Sequence, residues 1–242
     1  MSLPTTLVPA TDSHRLAALA PYLLLGSAPD AVFDEVVRLT AKLFQVPIAL
    51  VSLVEEGSVW FKANFGLGNA ERVARNESIC SVAILQDETT VYHDLSREPC
   101  HLTDPSVARA QNLRFYAGHP LRTADGQAIG ALCIIDRQPR VLTSAEQARL
   151  QALAALVMKL LDLRLALHQQ PERSSATWLQ LYQHLDLSLT RLDTLTELAS
   201  WEETPDTPAA RHYQTALDEE AALVTQALDR QINLALATLP VK

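Results

Sequence analysis

The stretch Arg114–Arg137, RFYAGHPLRTADGQAIGALCIIDR, constrains the fold of this chain more than any other part of it. Two apolar runs flank one polar turn, Thr123-Ala124-Asp125-Gly126-Gln127. An Asp-Gly pair between strand-like runs predicts a β-hairpin, because glycine adopts positive φ without steric cost. The second run, Ala128–Ile135, is almost wholly apolar and is closed by Asp136 and Pro139. Such a run predicts a central strand covered on both faces.

The residues before the hairpin supply helices and a second strand pair. Residues 1–13 read as a flexible N-terminus, and His14–Leu25 as a helix interrupted by Pro21. Asp30 is an N-cap candidate for a helix with Phe33, Val36, Val37, Thr40 and Phe44 on one face, stopped by Pro47. Ile48–Val54 reads as a buried strand, Glu55–Ser58 as a turn and Val59–Phe65 as the antiparallel partner. Ser78 caps a short helix over Ile79–Leu85, and Thr89–Tyr92 is a short strand. His93–Arg114 is mostly loop, with a short helix around Val107–Gln111. Beyond the hairpin, Thr143 and Glu146 form a capping-box pair that opens a helix running to about His168. This order predicts an α+β fold, an antiparallel sheet with helices against one face and loops over the other.

Residues 171–242 change character. They carry 5 Lys and Arg against 11 Asp and Glu, whereas residues 1–170 carry 15 against 17. An acidic tail argues against nucleic acid as its partner, since phosphate needs clustered Lys and Arg. Leu181, Leu185, Leu189, Leu192, Leu195 and Leu198 form one helical stripe. Tyr213, Leu217, Ala221, Val224, Leu228, Ile232 and Leu236 form a second, across the link Glu202–Pro208. A helical hairpin of this kind cannot bury both stripes alone, so it packs on the first domain or on another chain. Pairing with its copy would make a homodimeric four-helix bundle.

No run of about eighteen apolar residues marks a membrane span. The first residues lack the basic start and apolar core of a signal peptide, so a cytoplasmic location is expected. Three widely spaced cysteines, Cys80, Cys100 and Cys133, have no CxxC among them. They predict neither a zinc site nor a disulfide framework, and no metal is expected.

Five segments, taken in order, resemble one family. They are FDEVVRLTAKLFQVPIALVSLVEE (Phe33–Glu56), WFKANFGL (Trp60–Leu67), ESICSVAI (Glu77–Ile84), RFYAGHPLRT (Arg114–Thr123) and GALCIIDR (Gly130–Arg137). Together they resemble the GAF domain, a bacterial small-molecule-binding sensory module found beside histidine kinases and cyclic-dinucleotide enzymes. The resemblance covers about residues 14–168, within a sensory domain drawn as 14–170. It implies a pocket between the sheet and its covering loops, with candidate lining residues Trp60, Phe61, Cys80, Asp94, Phe115, Tyr116 and Cys133. Trp60 and Phe61 are adjacent on a strand, so at most one of them faces that pocket. The implied role is a non-catalytic sensor. An unidentified small molecule, or a redox change at a cysteine, alters the loops, and the helix from Thr143 passes the change to the hairpin and a signalling partner.

Narrower resemblances name other chemistry. One GAF branch reduces free methionine sulfoxide, and Cys80 and Cys100 fall in the region where it carries cysteines. Tyr116-Ala117-Gly118-His119-Pro120 stands where that branch has a Ser-Glu pair. Phytochrome-type GAF domains attach a bilin through a cysteine followed by histidine, as in Cys100-His101. The two-helix tail is similar to the phosphotransfer domain of histidine kinases, which makes His184 a phosphoacceptor candidate. A ligand-free scaffold with a side-chain-filled pocket is the remaining alternative.

Overall fold

The computed structural model describes residues 6–9, 11–25, 30–168, 171–200 and 207–238. Helices α1 (Asp12–Leu23) and α2 (Ala31–Phe44) precede strands β1 (Ile48–Val54), β2 (Ser58–Phe65) and β3 (Arg72–Ala74). A short 3-10 turn at Arg75–Glu77, α3 (Cys80–Ala83), β4 (Thr90–Tyr92) and α4 (Pro105–Ala110) follow. Then come β5 (Phe115–Arg122), β6 (Ala128–Asp136), α5 (Ser144–His168), α6 (Pro171–Ser200) and α7 (Pro208–Ala237).

The Asp-Gly hairpin forms as the sequence predicts. β5 and β6 pair antiparallel with Gly118 opposite Cys133, and Gly126 takes a φ of 82° in the turn. All six strands join one antiparallel sheet in the order β3-β2-β1-β6-β5-β4. β1 and β6 lie at its centre, which is why their sequences are apolar on both faces. The edge strand β3 has no counterpart in the sequence reading, where its charged residues pass for loop.

Side-chain alternation sends the two faces to two cores. Ala49, Val51 and Leu53 of β1, with Phe115, Ala117, Leu132 and Ile134, meet the helical layer. Ile48, Leu50, Tyr116, Cys133 and Ile135 meet α3 and the covering loops. On the helical side, Asp30 caps α2 by accepting the Val32 N–H at 3.3 Å. The predicted face of α2, Phe33, Val36, Val37, Thr40 and Phe44, is wholly buried.

Of the segment read as flexible, residues 1–5 and 10 lie outside the described residues, and Asp12 and Ser13 are helical. Asp12 opens α1 and lies in a buried ion triad, 2.7 Å from both Arg15 Nε and Arg75 Nη1. Pro21 stands inside α1 without interrupting it.

The helical hairpin packs on its own sensory domain, the first of the two options that the sequence leaves open. α6 lies against α2 and α7 against α5. Leu181, Leu185, Leu189 and Leu192 of α6, with Val224, Leu228 and Ile232 of α7, join the helix-side core. The Trp178 ring sits 5.9 Å from that of Phe33, and its Nε1–H donates to Asp30 at 2.7 Å. Lys159 and Arg149 of α5 pair with Asp229 and Asp218 of α7, each at 2.6 Å. Residues 202–206 of the expected link lie outside the described residues.

Candidate functional site

The loop face of the sheet is built around β5 and β6. Cys133, in the middle of β6, pairs across the sheet with Leu50 and Gly118. Cys80 begins α3 directly above it, and its N–H donates to the Ser78 hydroxyl at 3.3 Å. Ser81, next along, donates to the Arg75 carbonyl at 2.7 Å and fixes the turn. The two sulfurs are thereby held 3.5 Å apart, both deeply buried. Tyr116 reaches over Gly118, where a Cβ would stand 2.3 Å from the tyrosine oxygen, so only glycine leaves room for the ring. The Tyr116 hydroxyl makes no well-formed hydrogen bond.

The three groups shape one another's ionisation. Burial, then the charges of Cys80 and Cys133, pushes the Tyr116 hydroxyl well above its usual range. The hydrogen bond with Cys133 pulls Cys80 down, against burial, with help from Ser52, Ser78 and Tyr116. The same bond, with burial, pushes Cys133 up.

Above these groups lies an inner cavity of about 60 Å³. Phe61, Cys80 and Tyr116 line it together with Leu50 and Ile135. A larger outer pocket of about 370 Å³ includes Cys100, Arg109, Asn112 and Arg114. Ile79, Leu95, Ala108 and Leu113 belong to both and form the partition. The outer volume is within the range of small-molecule sites, and the smaller one has room for a few water-sized molecules and no more.

Several expected lining residues lie elsewhere. Phe61 is the member of its pair that faces the pocket. Trp60 is buried on the opposite face, with the Lys62 ammonium 5.7 Å from its ring centre. Phe115 is also in the helix-side core, one residue out of phase with Tyr116. Asp94 lines neither cavity. It grips Arg114 at 2.7 and 2.8 Å and accepts the Ser96 N–H at 3.0 Å. The Arg114 guanidinium holds its carboxyl well below the usual carboxylate range. Cys100 lines the outer pocket, apart from Cys80, and is buried beside Tyr92. His184 is half-buried on α6, with Nδ1 3.4 Å from Gln231 Nε2, in a groove between α6 and α7. Among the described residues no group of three His, Cys, Asp or Glu side chains is placed to hold a metal.

Sequence reasoning missed Ser52 beside Cys80, and Arg114 as the partner of Asp94, whereas Ser78, read as the cap of the short helix, does accept the Cys80 N–H. Ser52 carried a signal, being the lone polar residue in the apolar run Ile48–Val54.

The profile of the GAF domain family matches residues 28–161. This chain belongs to the GAF domain family. The family makes it a sensory or regulatory module. A cyclic di-GMP phosphodiesterase of Pseudomonas aeruginosa is 35% identical over 192 residues, covering 78% of this chain and 32% of that protein. The GAF chain thus spans about a third of the length of this curated relative. Among solved structures, the GAF domain of an Acinetobacter phosphoenolpyruvate-protein phosphotransferase aligns with a TM-score of 0.47 at 15% identity, over 66% of this chain and 98% of that one. A type II free methionine-R-sulfoxide reductase from Thermoplasma acidophilum aligns at 0.42 and 18%, over 64% and 94%. Among the described residues no helix is long and apolar enough to cross a membrane.

Proposed function

We propose that this GAF protein is a non-catalytic bacterial sensor. A small molecule at the loop face, or a redox change at the cysteines beneath it, alters the helical layer that meets a signalling partner. The observation that carries this reading is a polar line running around the edge of the sheet. Leu95, in the partition, donates its N–H to the Arg114 carbonyl at 2.6 Å, and the neighbouring Asp94 grips the Arg114 side chain. Two residues before Leu95, the Arg140 N–H donates to the His93 carbonyl at 3.1 Å, and His93 Nδ1 returns a bond to the Arg140 carbonyl at 2.9 Å. The Arg140 guanidinium then bonds the Phe44 carbonyl at the end of α2 and Glu146 in the first turn of α5. Displacing the partition pulls on the two helices that carry α6 and α7.

The likeness to a cyclic di-GMP phosphodiesterase supports a partner that makes or breaks cyclic dinucleotides. The sensor works in the cytoplasm as a homodimer. Its second copy meets the groove between α6 and α7, where Leu187 and Leu234 stay exposed. Native mass spectrometry of freshly purified protein, compared with its denatured mass, tests this. A dimer with added non-covalent mass is the expected result. A monomer with no added mass, whose helices keep the same hydrogen exchange in oxidised and reduced forms, would overturn it.

A further inference from the structure

We propose that Cys80 and Cys133 form a peroxide-driven thiol–disulfide pair, with Cys80 attacking and Cys133 resolving. The pair deepens the redox side of the sensory reading, and depends on that reading only for its consequence. Disulfide formation needs close sulfurs, one of them ionisable, and a path for the oxidant. The sulfurs are 3.5 Å apart across two elements, 53 residues distant in sequence. The Ser78 hydroxyl accepts the Cys80 N–H at 3.3 Å, and Ser52, Ser78 and the Tyr116 hydroxyl are the polar groups around the Cys80 thiol, an unusual setting for a purely structural buried cysteine. Cys80 lines the inner cavity and Cys133 does not, so an oxidant entering there meets Cys80 first.

The cavity also selects the oxidant. About 60 Å³ admits hydrogen peroxide and excludes glutathione disulfide or a protein disulfide. The Cys80 thiolate attacks one peroxide oxygen. The O–O bond breaks, an S–O bond forms, and the departing hydroxide takes up the proton that Cys80 released. The Cys133 sulfur then attacks the Cys80 sulfur. The S–O bond breaks, an S–S bond forms, and the second hydroxide leaves with the Cys133 proton. Two thiols are oxidised by two electrons, and one peroxide is reduced to two waters. The sulfurs must close to about 2.05 Å. α3 is a single turn and β6 is a central strand, so α3 does the moving, and Ile79 of the partition moves with it.

The test treats the full chain with hydrogen peroxide, then denatures it, alkylates it with N-ethylmaleimide and maps its peptides. Two of the three thiols should resist alkylation, recover with dithiothreitol, and appear as one linked pair containing Cys80 and Cys133. Cys100 should stay alkylatable. In C133A, Cys80 should stop at the sulfenic acid and be trapped by dimedone. The wild-type map stands without that variant if it fails to fold. Full alkylation of all three thiols, at peroxide doses that oxidise free cysteine in the same tube, overturns the proposal. So does a Cys80–Cys100 link, which favours the reductase branch, or irreversible oxidation of Cys80 without a link. A correct link with unchanged hydrogen exchange in α5–α7 upholds the pair and removes its sensory consequence.

Discussion

Asp12 shows how much one carboxylate decides near the start of the chain. Burial pushes its carboxyl up, and hydrogen bonds from Arg75 and Arg15 pull it further down, to about 2. The folded value lies below the unfolded one of about 3.9. Its contribution is therefore complete above about pH 5 and is lost as pH falls through 2, a difference of about 2.5 kcal/mol. D12N should lose about 3 kcal/mol at pH 7, because it strands two buried guanidinium groups. Its urea midpoint should also fall less steeply between pH 4 and 2 than that of the wild type. Parallel curves for the two proteins would refute this. Gly130 is a second such point, since a Cβ there would lie 1.9 Å from the Ser52 carbonyl of the neighbouring strand. G130A should cost about 2 kcal/mol in urea unfolding. A loss under about 0.5 kcal/mol would mean that the strands part more easily than this register allows. Neither point was legible from the residues alone. The phase of Phe61 was, in part, because adjacent strand residues must point apart. Assigning Trp60 and Phe115 to the other face needed the actual register of the sheet.

At the scale of elements, Asp30 joins three helices. It caps α2, accepts the Trp178 indole of α6 at 2.7 Å and pairs with Arg164 of α5 at 2.9 Å. The cap was legible, because an Asp just before an amphipathic stripe is a helix-start signal. The tie to Trp178 was not, since 148 residues separate the two and only the folded hairpin brings them together. D30A should lose about 1 kcal/mol for the cap and a similar amount for the orphaned indole. D30N keeps an oxygen for the cap and should lose less. In D30A, hydrogen exchange should rise first in α6 and at the start of α2, with β1 and β6 unchanged. A uniform rise through the sheet would show that Asp30 supports the whole fold rather than the seam between helices.

At the scale of the molecule, the acidic tail finds its counterpart within the chain. Asp193 meets Arg38 and Lys42 of α2, and Asp218 and Asp229 meet Arg149 and Lys159 of α5. The charge imbalance was plain in the sequence, and so were the basic residues on the facing helices. What composition could not supply was the choice between this docking and a second copy. Exposed pairs contribute little each, so the buried leucines hold the hairpin and the charges set its register. This docking leaves the sheet as a wall between the cysteine pair and the helical layer, with Arg140 joining the two sides around its edge. R140A should cost about 1 kcal/mol in stability, because its side chain is only partly buried. Hydrogen exchange should rise at the start of α5 and the end of α2. Peroxide should still link Cys80 to Cys133 in this variant, while the accompanying change in α6 and α7 disappears. R140K keeps a cation near Glu146 but loses the fork that also holds the Phe44 carbonyl, so it should transmit only part of the change. If R140A passes the change on undiminished, the signal crosses through the packed strands and the edge line carries none of it.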